Sequence, residues 1–182
     1  MIIALCGKTG AGKSVICDEM MMQGWIKIIT YTTRPPRPGE VNHLDYEFIS
    51  EEQFKAMTER AEFAESFTYV TKEGVWRYGS RMDDYMERGN FVIVLTPAGI
   101  KRVKQMLPDE DIRSVMIDSE KLVRRHRLRK RGDNLLEVER RMKADENDFA
   151  DFRADYHYYN ALFTSPKKLA KKIIREVTND KS

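Results

Sequence analysis

Eight residues near the start of the chain, Gly7-Lys8-Thr9-Gly10-Ala11-Gly12-Lys13-Ser14, fit the pattern G-x-x-x-x-G-K-[ST] and directly follow the apolar run Ile2 to Cys6. A strand, a glycine-rich turn and a helix in that order curl successive backbone N–H groups around an anion. The positive end of the helix dipole then adds to the same pull. An ordinary glycine turn is the alternative, but the full pattern arises by accident in only about one chain per hundred of this length. The stretch is read as a phosphate-binding loop, with Lys13 bridging the outer phosphates of a nucleotide and the Ser14 hydroxyl meeting Mg²⁺. The donor set is thus Gly7, Lys8, Thr9, Gly10, Ala11, Gly12, Lys13, Ser14 and the adjoining Val15, with nucleotide phosphates and Mg²⁺ as the implied ligands.

Such a loop belongs to an α/β domain, and the remaining sequence alternates accordingly. Strands are predicted at Ile2 to Cys6, Trp25 to Ile29, Phe91 to Leu95, Ser114 to Asp118 and Tyr158 to Phe163. Helices are predicted at Lys13 to Gln23, Ser80 to Arg88, Ala98 to Met106, Glu120 to Arg131, Leu135 to Ala150 and Pro166 to Val177. The segment from Thr30 to Ser80 breaks the alternation with a Pro/Arg-rich loop, a short helix near Glu51 to Arg60 and aromatic strand-like pieces, so it is read as an insertion. At 182 residues the chain suits one domain with a largely parallel sheet flanked by helices. No apolar run approaches the roughly 20 residues of a membrane span. Met1 to Cys6 lacks a basic leader and a cleavage site, and two cysteines make no disulfide framework, so a cytoplasmic location is expected.

The insertion carries a second constellation, Thr30-Tyr31-Thr32-Thr33-Arg34-Pro35-Pro36-Arg37-Pro38-Gly39-Glu40, followed by Asp45-Tyr46-Glu47-Phe48. Three prolines stiffen the loop, and two guanidinium groups three residues apart can fork around a phosphate in a way two lysines cannot. A solvated polyproline segment is the other reading of this composition. Beside the glycine loop, the fork suits a chain that holds a donor and an acceptor phosphate together.

Taken with these motifs the sequence resembles the guanylate kinase family over nearly its whole length, most specifically through TTRPPRPGEVNHLDYEF at Thr32 to Phe48. The resemblance implies that Arg34, Arg37 and Tyr46 grip the phosphate of GMP, and that Thr30 stands where the family usually has a base-contacting serine. It further implies that Glu65 accepts hydrogen bonds from guanine, while Tyr78 and Ser80 of Tyr78-Gly79-Ser80 complete the acceptor site. A carboxylate also suits guanine chemically, since it pairs with two donors that adenine lacks. The implied boundaries are one domain over 1–182, with a core of 1–29, 81–124 and 142–182, a nucleoside-monophosphate-binding insertion over 30–80 and a helical lid near 125–141. The implied reaction is transfer of the ATP γ-phosphoryl group to GMP or dGMP, by a monomer or homodimer with no nucleic-acid or membrane partner. The sequence departs from the family in three places. Val94 and Thr96 replace acidic residues that help place Mg²⁺ and contact the acceptor, leaving the Thr96 hydroxyl as the expected polar contact. Leu162-Phe163 stands in for an Asn-Asp pair after the last strand, so no adenine contact carries over. The hairpin around Val70 to Trp76 is longer than usual.

Between Glu120 and Lys143 lie ten basic residues against four acidic, which leaves 22 against 25 elsewhere and places the whole +3 excess in this one stretch. A basic run is commonly a solvated helix face. The resemblance makes it a lid whose arginines close over ATP, with Arg127, Arg131 and Arg141 as the matching positions, Arg140 next, and the other arginines of the run assigned to solvent. His43, His126 and His157 receive no role. Lys13, Arg34, Arg37, Arg131 and Arg141 form the expected catalytic set. It needs no general base, because the acceptor phosphate is already anionic and charge repulsion is the obstacle. Two other readings stay open: a P-loop kinase of another nucleotide or sugar phosphate, and a noncatalytic guanylate-kinase-like protein-binding module.

Overall fold

The computed structural model describes residues 1–71 and 74–180. In chain order the strands are β1 (Ile2–Cys6), β2 (Ile26–Lys27), β3 (Tyr31–Thr32), β4 (Glu47–Phe48), β5 (Phe63–Thr71), β6 (Gly74–Arg81), β7 (Phe91–Val94), β8 (Ile112–Asp118) and β9 (Tyr156–Tyr159). The helices are α1 (Lys13–Met21), α2 (Glu51–Glu59), α3 (Pro97–Met106), α4 (Lys121–Arg131), α5 (Leu135–Asp148) and α6 (Pro166–Asn179). The backbone packs into two compact units. One comprises Met1–Lys27, Asn90–Ile100 and Asp111–Ser182, and the other Ile28–Gly89 and Lys101–Glu110.

The first unit is built on a five-stranded sheet in the order β2-β7-β1-β8-β9, parallel throughout. β1 lies at its centre and is buried at all five positions, as an apolar strand covered on both faces must be. Its core gathers Ile3, Leu5, Val92, Val115 and Ile117 of the sheet with Ile16 and Met20 of α1 and Leu169, Ile173 and Val177 of α6. A smaller cluster of Leu128, Val138 and Met142 joins α4 to α5. Gly132, at φ 84°, ends α4, and the Asn134 side chain caps the start of α5 by accepting from the Leu136 and Glu137 N–H groups.

The second unit holds a four-stranded mixed sheet in the order β4-β3-β6-β5. Its α2 begins with a full capping box between Ser50 and Gln53, and Phe54 of that helix stacks on Phe63 of β5 with ring centres 4.5 Å apart.

Three expected elements need correction. The helix expected from Ser80 to Arg88 is absent: β6 continues to Arg81 because Ser80 pairs with Glu65 across the hairpin, and only Asp83–Tyr85 makes a short 3-10 turn. The strand expected at Trp25 to Ile29 shrinks to Ile26–Lys27. Trp25 instead turns into the core, 6% exposed, with its N–H on the Met20 carbonyl at the end of α1. The last strand is Tyr156–Tyr159 and not Tyr158 to Phe163. The chain leaves the sheet at Asn160, whose side-chain amide donates to the Ala11 carbonyl at 2.7 Å, and Phe163 is 94% exposed. The residue that follows the last strand is therefore Asn160, not Leu162. The long β5–β6 hairpin pairs as far as Thr71 and Gly74, and its tip at 72–73 lies outside the described residues. Among the described residues no helix is long and apolar enough to cross a membrane.

Candidate active site

The glycine loop follows β1 and closes on the first turn of α1. Gly7, Gly10 and Gly12 have φ of 150°, 81° and 96°, values an L side chain resists. Space excludes a side chain as well. A Cβ on Gly7 would stand 2.2 Å from the Ile117 carbonyl oxygen, and one on Gly12 would stand 2.5 Å from the Asn160 amide nitrogen. Lys13 Nζ donates to the Gly7 carbonyl at 2.6 Å and the Lys8 carbonyl at 3.3 Å. Burial pushes its ammonium down to about 8, while Asp145 pulls the other way. Ser14 and Val15 are exposed on the first turn of α1.

Three helix-borne arginines complete this half. Arg127 is packed against the loop, its guanidinium donating to the carbonyls of Gly10, Ala11, Asn160 and Ala161 and to the Ser119 hydroxyl at 2.9 to 3.5 Å. Arg131 and Arg141 converge on one carboxylate. Arg131 binds Asp133 through two hydrogen bonds, and Arg141 Nη1 stands 3.9 Å from the same group. Arg141 also donates to Glu137 at 2.8 Å, and Arg140 takes both oxygens of that carboxylate. The Arg140 hydrogen bonds first, with those and the charge of Arg141, hold Glu137 down at about 2. The Thr96 hydroxyl accepts from the Gly99 N–H at 3.1 Å in the first turn of α3.

The acceptor candidates lie in the second unit. Arg34 is 6% exposed, its Nε donating to the Tyr78 hydroxyl at 3.1 Å and Nη2 to Glu40 at 3.0 Å. Its guanidinium lies over the rings of Tyr46 and Phe48, 5.3 and 5.6 Å from their centres. The Arg37 N–H donates to Glu40 at 2.7 Å, and its guanidinium stands 4.0 Å from the same carboxylate. The expected fork thus exists, with Glu40 between its prongs. Burial alone would raise the Glu40 carboxyl, but the bonds and charges of the two arginines outweigh it and hold the group below the ordinary carboxylate range. Thr30 lies beside this loop, its carbonyl accepting from the Glu47 N–H.

Glu65 and Ser80 are both sealed, at 5% and 0% exposure, with Ser80 Oγ donating to Glu65 Oε1 at 2.8 Å. Ser80 in turn lies 2.7 Å from the hydroxyl of Tyr85, which is fully buried. Burial lifts the Glu65 carboxyl to about 7, against the hydrogen bonds from Ser80. Sequence reasoning found Glu65 and Ser80 but not Tyr85, which it had placed in an unformed helix.

Arg124, which the sequence assigns to solvent, is 4% exposed and belongs to the loop's support together with Asp145, 8% exposed. Spacing carried the signal for both: Arg124 lies four residues before the buried Leu128, and Asp145 continues the stripe of Val138 and Met142. A charge on the core face of a helix needs a partner, and these two find each other.

The fold and this constellation define a P-loop phosphotransferase, with a glycine loop on a parallel sheet, arginines from a following helix pair, and a second arginine fork on an inserted sheet. The sequence profile of the guanylate kinase family, described as "Guanylate kinase", matches residues 1–163, and the chain belongs to that family. A guanylate kinase of Clostridioides difficile (strain 630) is 27% identical over 97% of this chain and 86% of its own length. That of Syntrophus aciditrophicus (strain SB) is 30% identical over 87% of this chain and 77% of its own. The crystal structure of guanylate kinase from Anaplasma phagocytophilum superposes with a TM-score of 0.73 at 18% identity, covering 99% of this chain and 85% of that one, which places the fold.

Proposed function

We propose that the chain transfers the γ-phosphoryl group of ATP to GMP or dGMP, giving ADP and GDP or dGDP. The observation that carries this reading is that the chain has both an intact glycine loop in its first unit and, in its second, a buried carboxylate–hydroxyl pair, Glu65 and Ser80, together with the Arg34–Arg37 fork. The loop N–H groups and Lys13 suit the donor phosphates. Arg34, Arg37 and Tyr46 suit the acceptor phosphate, with Tyr78 steadying Arg34, and Glu65 suits the two donors on the guanine edge. Arg131 and Arg141 are assigned to the transferring group, and Thr30 and Thr96 to the periphery of the acceptor.

Glu40 and Asp133 each occupy the kind of place between two guanidiniums that a phosphate oxygen would take. Both arginine pairs therefore suit an anionic ligand without rearrangement of their chemistry. The residues also fit Mg²⁺ arriving on the nucleotide. Ser14 offers an exposed hydroxyl at the helix start, and among the described residues no group of three His, Cys, Asp or Glu could hold a metal alone. When bound, that ion supplies charge neutralisation across the phosphate oxygens. Lys13, Arg34 and Arg37 lower the repulsion between two anions, and no side chain has to remove a proton. The 1–182 domain is read accordingly, with 30–80 as the acceptor-binding insertion and about 125–141 as the lid.

The test is ADP release with Mg-ATP over a panel of GMP, dGMP, AMP, UMP and dTMP. Turnover confined to guanine nucleotides is expected. Turnover with another base would give the acceptor site to that nucleotide, and silence across the panel would favour a binding module.

A further inference from the structure

Thr9 is the third residue of the glycine loop, and all three of its polar groups are held by one ion pair. Asp145 Oδ2 accepts from its N–H at 2.8 Å, and Asp145 Oδ1 accepts from its hydroxyl at 3.2 Å. Arg124 Nη1 donates to its carbonyl at 3.2 Å and to Asp145 at 3.4 Å, while Arg124 Nε reaches the Ser119 carbonyl at 3.3 Å. Arg124 comes from the first turn of α4 and Asp145 from the last turn of α5. They therefore close the root of the helix hairpin whose far end presents Arg131 and Asp133.

Stability alone does not account for this arrangement. Removing two charges from water costs several kcal/mol per ion, on the order of what their attraction returns, and an apolar pair of similar volume often packs as well. Leu128, Val138 and Met142 already supply apolar contact between the two helices. What the charged pair adds is direction, since it fixes the two successive peptide units that meet at Thr9.

We propose that Arg124 and Asp145 are positioning residues for the donor phosphates. Their clasp on Thr9 sets the curl of the loop ahead of Gly10–Lys13 and ties that curl to the helices that carry Arg127, Arg131 and Arg141. Asp145 also faces Lys13 closely enough to favour its charged form. The inference rests on reading the loop as the ATP site.

The test uses the full chain and two readouts, the dissociation constant of Mg-ATP measured by calorimetry without acceptor, and the steady-state KM for ATP and for GMP. Asp145→Ala is expected to weaken ATP by about tenfold or more, as misplacing a phosphate cradle by a fraction of an ångström does, with KM for GMP within about twofold. Asp145→Asn keeps an acceptor for the Thr9 N–H and should lose less. The double variant Arg124→Gln with Asp145→Asn should bind ATP more tightly than Asp145→Asn alone, because it leaves no unpaired charge and the amide at position 145 keeps an acceptor for the Thr9 N–H. Unchanged ATP affinity in folded Asp145→Ala, ATP and GMP constants that rise together, or strictly additive single effects would each overturn the clasp. Should Asp145→Ala not fold, Asp145→Asn and Thr9→Val decide the matter, with weaker ATP binding expected in both and wild-type affinity in both overturning the inference. The binding readout needs no acceptor. A chain that binds Mg-ATP but turns over no GMP would therefore end the guanylate kinase reading, while the clasp is still judged by the same constants.

Discussion

Two arginine pairs in this molecule share one plan and differ in how they are built. Arg34 and Arg37 hold Glu40 between them in the second unit, while Arg131 and Arg141 hold Asp133 between them at the tip of the α4–α5 hairpin. The Arg34 side chain is 7% exposed and faces two aromatic rings on a loop stiffened by Pro35, Pro36 and Pro38. The Arg131 side chain is 53% exposed, and its partner is only two residues along the chain. In the first pair Arg34 is part of the packing of its unit, so its geometry is set before any ligand arrives, while Arg37, with 39% of its side chain exposed, is tied to it through Glu40. The second is held by local, solvent-screened bonds that contribute little to stability. In the proposed reaction, fixed and loosely held guanidiniums suit different tasks, the first recognition of an acceptor and the second closure on a transferring group.

The sharpest way to break this contrast is to remove one prong from each pair and compare activity with stability. Arg34→Ala should lower kcat/KM for GMP by about 10³ and cost about 3 kcal/mol in denaturant unfolding, since it strips the ligand contact and leaves Glu40 without its main partner. Arg131→Ala should lower kcat by about 10², with unfolding free energy within about 1 kcal/mol of the parent. If chemical denaturation places the two variants at equal stability, the distinction between built-in and loosely held pairs is lost.

The acceptor side also carries a carboxyl that titrates near neutrality. Glu65 has its folded value raised from the ordinary 4.5 to about 7. A raised carboxyl contributes stability that is fully present below the unfolded value and disappears as pH climbs through 7, where burying the anion costs about 3 kcal/mol. On the proposed reading, guanine recognition needs that anion. KM for GMP should accordingly rise nearly tenfold for each pH unit below 7, while KM for ATP stays flat between pH 6 and 7. A flat GMP profile would separate Glu65 from base recognition. The smallest effect belongs to Asp133→Asn, which should change unfolding free energy by about 1 kcal/mol or less and be read most easily as a shift in salt dependence.

Much of this arrangement was legible before any coordinate. The glycine loop, the central β1, the Arg34–Arg37 fork, and Glu65 with Ser80 follow from local pattern and from the resemblance that pattern carries. What escaped depends on how strands pair, loops fold back and helices face one another. Tyr85 joins Ser80 only because β6 runs on to Arg81, and strand pairing overrode a helical pattern there. Glu40 lies inside the recognised motif, yet its place between the two arginines depends on how the loop folds back. Arg124 was lost in a crowd of charges. Only its position one turn from Leu128, matched against Asp145 one turn from Met142, separates it from its solvated neighbours.

The clasp on Thr9 also bears on how fast a nucleotide can be captured. A glycine-rich loop left to itself samples many backbone states, and a ligand that must first select one of them binds with its affinity reduced by that state's population. Here the two peptide units flanking Thr9 are each hydrogen-bonded to a buried ion pair. Much of that search is complete before the encounter, so the glycines can remain for the close approach of phosphate without the entropy they would otherwise bring to it.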